Sequence, residues 1–138
     1  MKLFFADAGF WIGLRNRTDI NHRRALRIAE KVMHQRVSLL LTPLVFAEVH
    51  AHFARSLPIR EQVIRDCWEN PIVKVEQATP SDQTQAMQIL RAHKDKTFSF
   101  CDAVSFAVML RLEITTALSF DEHFRQFGRF DVLGGNSR

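Results

Sequence analysis

The stretch Leu3-Phe4-Phe5-Ala6-Asp7 decides how the rest of the chain is read. Four consecutive apolar residues end abruptly in an acid. A strand with one face in water alternates apolar and polar residues, whereas an unbroken apolar run of this length suits a strand buried on both faces of a parallel sheet. Further short apolar runs at 37–41, 72–75, 115–118 and 130–133 predict four more strands. Helical patterns lie between them. His22, Ala25, Leu26, Ala29, Val32 and Met33 recur at helical spacing over 22–33, with Arg23, Arg24, Arg27 and Lys31 on the opposite face. Asp19 and Asn21 are candidate caps for that helix.

Thr42-Pro43 opens the next helix, with threonine at the cap and proline at the first helical position, and the pattern carries it to about Arg55. Ser56-Leu57-Pro58 breaks it, another helix runs to about Glu69, and Asn70-Pro71 ends that one. Thr79-Pro80-Ser81-Asp82 starts a helix reaching about His93. A polar connection over 94–98 leads to a strongly apolar helix over 99–112, and a short helix is expected over 121–126. Strands alternating with helices define an α/β chain, a three-layer α/β/α domain with a mainly parallel sheet of about five strands. Its 138 residues suit one domain, 1–138, with 134–138 as a flexible tail.

Composition excludes several classes. At 46% hydrophobic residues and 10% aromatic ones, the chain is not disordered. Two cysteines, Cys67 and Cys101, are too few for a disulfide scaffold and too far apart for a closed zinc site. His50 and His52 are two apart, so they do not share a helix face. The apolar run after Met1-Lys2 stops at Asp7, too short for an export signal, and no apolar stretch is long enough to span a membrane. These features imply a cytoplasmic protein with reduced cysteines and no membrane partner.

Four acids stand out by position, because ligand sites in parallel sheets lie beyond the carboxyl ends of the strands. Asp7 follows the first strand and Asp121 the fourth, Asp102 lies in the first turn of the apolar helix, and Glu48 lies within the helix after the second strand. Each has an ordinary structural reading as well. Asp7 and Asp121 suit N-caps, and Asp102 stands three residues after Ser99, the spacing of a capping box. Glu48 sits among Leu44, Val45, Ala51 and His52, so burial there requires either a metal ion or an ion pair, for instance with Arg55. Two carboxylates about 4 Å apart repel by roughly 4 kcal/mol at an effective dielectric near 20. A shared pocket would therefore need a cation, and hard oxygen ligands favour Mg2+ or Mn2+.

The order Asp7, Glu48, Asp102, Asp121 resembles the acidic quartet of PIN-domain nucleases. The surrounding residues agree: Phe5-Ala6-Asp7-Ala8-Gly9-Phe10-Trp11-Ile12 with Asp19-Ile20-Asn21-His22, then Ser99-Phe100-Cys101-Asp102-Ala103-Val104-Ser105-Phe106, then Ala117-Leu118-Ser119-Phe120-Asp121-Glu122-His123-Phe124. The similarity covers essentially the whole chain and is greatest to VapC-type toxins of toxin–antitoxin pairs. The resemblance implies a PIN-like fold and hydrolysis of RNA dependent on one or two Mg2+ or Mn2+ ions. Asp7, Glu48, Asp102 and Asp121 would be the catalytic and metal-holding residues. Ser119 matches a position where the family often carries a hydroxyl near the metal. His123 is either a group that orients substrate or phosphate, or a helix-start histidine packed near Phe124. Gly9 departs from the pattern, since many relatives carry serine, threonine or asparagine there. The resemblance also implies a homodimer and a cognate antitoxin whose segment obstructs the acidic pocket, offering arginine to the carboxylates. Two alternatives remain open: an RNA-processing nuclease of the same fold without an antitoxin, and a weakly catalytic RNA-binding scaffold.

Rival chemistries lack their residues. A haloacid-dehalogenase-like phosphatase needs an acid where Gly9 stands, and a response-regulator receiver needs paired acids after the first strand. No glycine-rich dinucleotide or P-loop motif occurs. Cys101, beside Phe100 and Val104, reads as a buried structural thiol.

The formal net charge of +4 averages two unlike regions. With the four acids set aside, 11 acidic residues face 19 basic ones, 14 of them arginine, the residue suited to bidentate phosphate contact. Candidate RNA contacts are Arg15, Arg17, Arg23, Arg24, Arg27, Lys94 and Lys96. Trp11 is a candidate for base stacking, while Phe100, Phe106, Phe120 and Phe124 are assigned mainly to the core.

Overall fold

Leu3–Ala6 does form a strand, β1, and it occupies the centre of the sheet. A computed structural model of the chain describes residues 2–134. Four further strands follow: β2 (Ser38–Leu41), β3 (Val73–Val75), β4 (Thr116–Leu118) and β5 (Asp131–Leu133). The sheet order is β3-β2-β1-β4-β5, and every pairing is parallel. Phe5, Ala6, Leu40, Leu41, Ala117 and Leu118 are fully buried, as inner parallel strands require. The edge strands each place a charged residue in solvent, Lys74 on β3 and Asp131 on β5, which discourages edge pairing with another chain.

Among the described residues, seven helices complete the α/β/α arrangement: α1 (Ala8–Arg15), α2 (His22–His34), α3 (Pro43–His52), α4 (Leu57–Trp68), α5 (Pro80–Ala92), α6 (Phe100–Leu112) and α7 (His123–Phe127). Among the described residues no helix is long and apolar enough to cross a membrane. The threonine cap signals operate as expected, whereas Asn21 stands at the N-cap of α2 without a side-chain cap hydrogen bond. Thr42 Oγ1 accepts the Val45 amide, and Thr79 with Asp82 forms a complete capping box. Burial pushes the Asp82 carboxyl up, but hydrogen bonds from Arg111 and Thr79 together outweigh it and hold the carboxyl below the usual range. α6 is apolar on nearly every side and runs through the interior.

α1 has no counterpart in the sequence pattern. Gly9 and Gly13 each weaken a helix by about 1 kcal/mol and mask the apolar set Phe10, Trp11 and Leu14. Packing supplies what propensity lacks: Phe10 and Trp11 are buried, and Trp11 Nε1 donates to the Ala6 carbonyl at 3.1 Å. Gly13 permits the close approach of α1 to α2, since a Cβ there would lie 3.2 Å from the Ala25 Cβ. α3 stops at His52, short of Arg55, because three-residue turns through Phe53 and Ala54 satisfy the last carbonyls instead.

Phe106 is the hub of an aromatic cluster. It stacks on Phe127 at 4.4 Å and meets Phe124 and Phe98 edge-on at 4.9 and 5.2 Å. The core assignments of Phe106 and Phe124 hold, whereas Phe100 is 38% exposed and Phe120 only half-buried. Of the expected tail, Gly134 is packed: its φ is +88°, its carbonyl accepts Arg24 at 2.7 Å, and a Cβ there would lie 2.7 Å from the Phe120 ring. Residues 135–138 lie outside the described residues.

Candidate active site

The strand order reverses at β1, between β2 and β4, and the crevice at such a switch point is where parallel sheets place ligands. The register pairs Ala6 with Leu118, so the residues just beyond them meet at the carboxyl edge. Asp7 follows Ala6, its amide donates to the Leu118 carbonyl at 3.0 Å, and Ser119 Oγ donates to Asp7 Oδ2 at 3.1 Å. Asp7 holds the N-cap position of α1, yet its side chain makes no cap hydrogen bond.

Asp121 accepts the His123 amide at 2.9 Å, and Ser119 Oγ also lies 3.5 Å from it. That side-chain turn delays α7, which begins at His123 and not at Asp121. Asp102 arrives from a third direction, the first turn of α6. It completes a capping box with Ser99, and the same Oδ2 accepts Nδ1–H of His123 at 2.6 Å. The capping reading of Asp102 therefore holds, and the same carboxylate oxygen also meets His123.

The electrostatics match the crowding. Burial, then Asp121 and Asp102, push the Asp7 carboxyl up to about 8. Burial also raises Asp121, with Asp102 adding to it. Among the described residues no lysine or arginine lies within ion-pair distance of Asp7, Asp102 or Asp121. Carboxylates converging without a guanidinium or ammonium partner suit a divalent cation. Asp102, Asp121 and His123 each offer a ligand atom, all within 4.8 Å of one another, and so can hold a metal ion together.

Glu48 differs from its sequence expectation. It is exposed and has no ion pair with Arg55, so the cost of burial is not what places it. Its carboxylate instead lies near the Cys101 thiol, on the turn that carries Asp102. Cys101 is half-buried and free, and burial first, then Glu48, Asp7 and Asp102, raise its thiol. Glu48 thus stands at the rim of the same constellation. Gly9 has room for a side chain, with a Cβ in ordinary contact at 3.7 Å from Phe120.

Of the basic candidates, Arg15 is engaged with Asp66 by two 2.7 Å hydrogen bonds. Arg24 lies over the Phe120 ring at 5.5 Å, and Lys96 pairs with Asp95. Arg17, Arg23, Arg27 and Lys94 are exposed. Thr97, which no sequence motif singles out, lies 3.3 Å from His123 Nε2 through its Oγ1. Only the long-range packing of the 94–98 connection against α7 brings it there.

The dual role of Asp102 has a measurable signature. In metal-free protein, Asp102→Asn keeps an acceptor oxygen for the cap and removes repulsion, so its thermal midpoint should equal or exceed that of the wild type. Asp102→Ala loses the cap and should cost about 1 kcal/mol. Equal losses in the two variants would leave repulsion without a role at this position.

The residue pattern of the PIN domain family matches residues 4–129. The 23S rRNA-specific endonuclease VapC20 of Mycobacterium tuberculosis is 30% identical over 131 residues, spanning 94% of this chain and 98% of that protein. The crystal structure of Mycobacterium tuberculosis VapC20, described as a Sarcin-Ricin loop cleaving toxin, superposes with a TM-score of 0.80 at 26% identity, again over 94% and 98% of the two chains. VapBC2 from Rickettsia felis, in a complex with a DNA fragment from their promoter, shares the fold at a TM-score of 0.67 and 9% identity, over 94% of this chain and 96% of that one.

Proposed function

The chain belongs to the PIN-domain family, and we propose that it is a metal-dependent endoribonuclease, the toxin of a toxin–antitoxin pair, acting through a single domain over 1–138. The observation that carries this reading is the meeting of Asp7, Asp102 and Asp121 at the β1/β4 switch point with no lysine or arginine partner among the described residues, in a chain similar throughout to a 23S rRNA-specific endonuclease. Asp7, Asp102 and Asp121, with Glu48 at the rim, would hold one or two Mg2+ or Mn2+ ions. Such an ion supplies charge to offset that on the scissile phosphate and makes water more acidic.

The chain's own groups set the rest. Ser119 is fully buried and donates to Asp7, so it orients a carboxylate and is not a nucleophile. The Cys101 thiol, raised by burial and its acidic neighbours, stays protonated and unreactive near neutral pH. Water is therefore the nucleophile, with no covalent enzyme intermediate. Exposed Arg17, Arg23, Arg27 and Lys94 are the RNA contacts we propose, each a phosphate contact and not a base reader. The substrate class is structured RNA, with the sarcin–ricin loop of 23S rRNA as the first to test. A cognate antitoxin and a homodimer complete the proposed assembly.

Cleavage of a sarcin–ricin transcript with Mg2+ or Mn2+ should appear as discrete fragments on a gel and vanish on adding chelator. Cleavage that survives chelation would sink the metal mechanism. Inactivity of the loaded protein on every RNA tried would instead favour a binding scaffold.

A further inference from the structure

We propose that His123 is a nitrogen ligand to the ion held by Asp102 and Asp121, which makes this site favour ions that accept imidazole, Mn2+ and Co2+, over Mg2+. The inference rests on the metal reading of the site. An all-carboxylate site is a hard oxygen set suited to Mg2+, whereas imidazole nitrogen shifts preference along the transition series.

Four observations support it. The His123 ring faces the acids: Nδ1 is 2.6 Å from Asp102 Oδ2, and its donor atom lies within 4.8 Å of those of both Asp102 and Asp121. The backbone ties it to one of them, because the His123 amide donates to Asp121 Oδ1 at 2.9 Å. Its far nitrogen is also provided for. Thr97 Oγ1 lies 3.3 Å from Nε2 and can accept Nε2–H, which leaves the Nδ1 lone pair for an ion. A ligating histidine with its second nitrogen held by a neighbouring oxygen is the usual outer arrangement of metal sites. The ring also meets Phe98 in a T-shaped contact, centroids 5.6 Å apart, which limits its rotation. Nδ1 is therefore the ring nitrogen that faces the acids, and Nε2 the one that faces Thr97.

Pulsed electron paramagnetic resonance of the Mn2+-loaded protein decides whether His123 ligates or merely positions Asp102. The wild type should show nitrogen-14 modulation from a bound imidazole, and His123→Asn should not. Asparagine keeps an amide that can donate to Asp102 but offers no imidazole. The ratio of Co2+ to Mg2+ affinity, measured by calorimetry, should fall at least about tenfold in His123→Asn. Thr97→Val should lower it less, in the same direction. Bound Mn2+ with no nitrogen modulation in the wild type would overturn this inference and leave the metal reading standing. Failure of the wild type to bind Mn2+, Co2+ or Mg2+ would overturn both. Equal losses of Co2+ and Mg2+ affinity in His123→Asn would assign His123 to positioning alone.

Discussion

At pH 8 without divalent ions, Asp7→Asn should be more stable than the wild-type chain, yet cleave RNA more than about a hundredfold more slowly in their presence. Burial and the two neighbouring acids push the Asp7 carboxyl up to about 8, against about 3.9 in an unfolded chain. Between those values the native state keeps a proton that the unfolded state has released, so stability falls as pH rises. The contribution is complete below about pH 4 and lost above about pH 8, with an upper bound on the order of 5 kcal/mol. Asparagine reproduces the neutral form, and its oxygen can still accept Ser119 Oγ–H, as Asp7 does at 3.1 Å. The two proteins should therefore match near pH 4 and diverge toward pH 8 in chelator-treated denaturation curves.

Added Mn2+ should narrow that gap. An ion at a hundred times its dissociation constant stabilises the protein that binds it by about 2.7 kcal/mol, and only the wild type retains all its carboxylates. The loss of activity follows because outer partners of metal ligands alone cost 10–100-fold on substitution. An Asp7→Asn protein less stable than the wild type at pH 8 without metal would show that Asp7 is held by favourable contacts and not against repulsion.

Phe106→Ala should cost about 3–5 kcal/mol, a large part of the 5–15 kcal/mol that domains possess. Phe106 is fully buried, and its ring meets Phe98, Phe124, Phe127 and Phe130. Those residues come from the 94–98 connection, α7 and the segment before β5, so no single neighbour can relax to fill the cavity. The effect reaches the site by two routes. Asp102 stands one turn earlier on α6, and Phe98, packed on Phe106, also packs on His123 at 5.6 Å. Urea denaturation should show a lower midpoint with an unchanged slope. A loss below about 1 kcal/mol would mean that the aromatic cluster is not the anchor of α6.

Much of the fold is legible because its signals are local. Continuous apolar runs mark β1 and β2, and Thr42, Thr79 with Asp82, and Ser99 with Asp102 mark helix starts through hydrogen bonds spanning only three residues. α1 is hidden because Gly9 and Gly13 oppose helix locally and only packing against α2 and α3 overrides them. Asp121 misplaces the start of α7 because one side-chain bond to the His123 amide competes with the helix. Glu48 illustrates the opposite limit. Its helical neighbours predict burial, but exposure depends on what packs there, and the carboxylate lies open at the rim.

The sequence by itself determined the parallel α/β class, the acids at strand and helix ends, and the excess of arginine, since each depends on residue type and near-neighbour spacing. Only the tertiary structure decided which of those groups act together. The β1–β4 register sets Ser119 against Asp7, the aromatic cluster brings Thr97 and Phe98 to His123, and Asp66 occupies Arg15 from 51 residues away. Carboxylates and imidazole respond to their surroundings over a few ångströms. Chain spacing does not encode distances of that kind between groups a hundred residues apart.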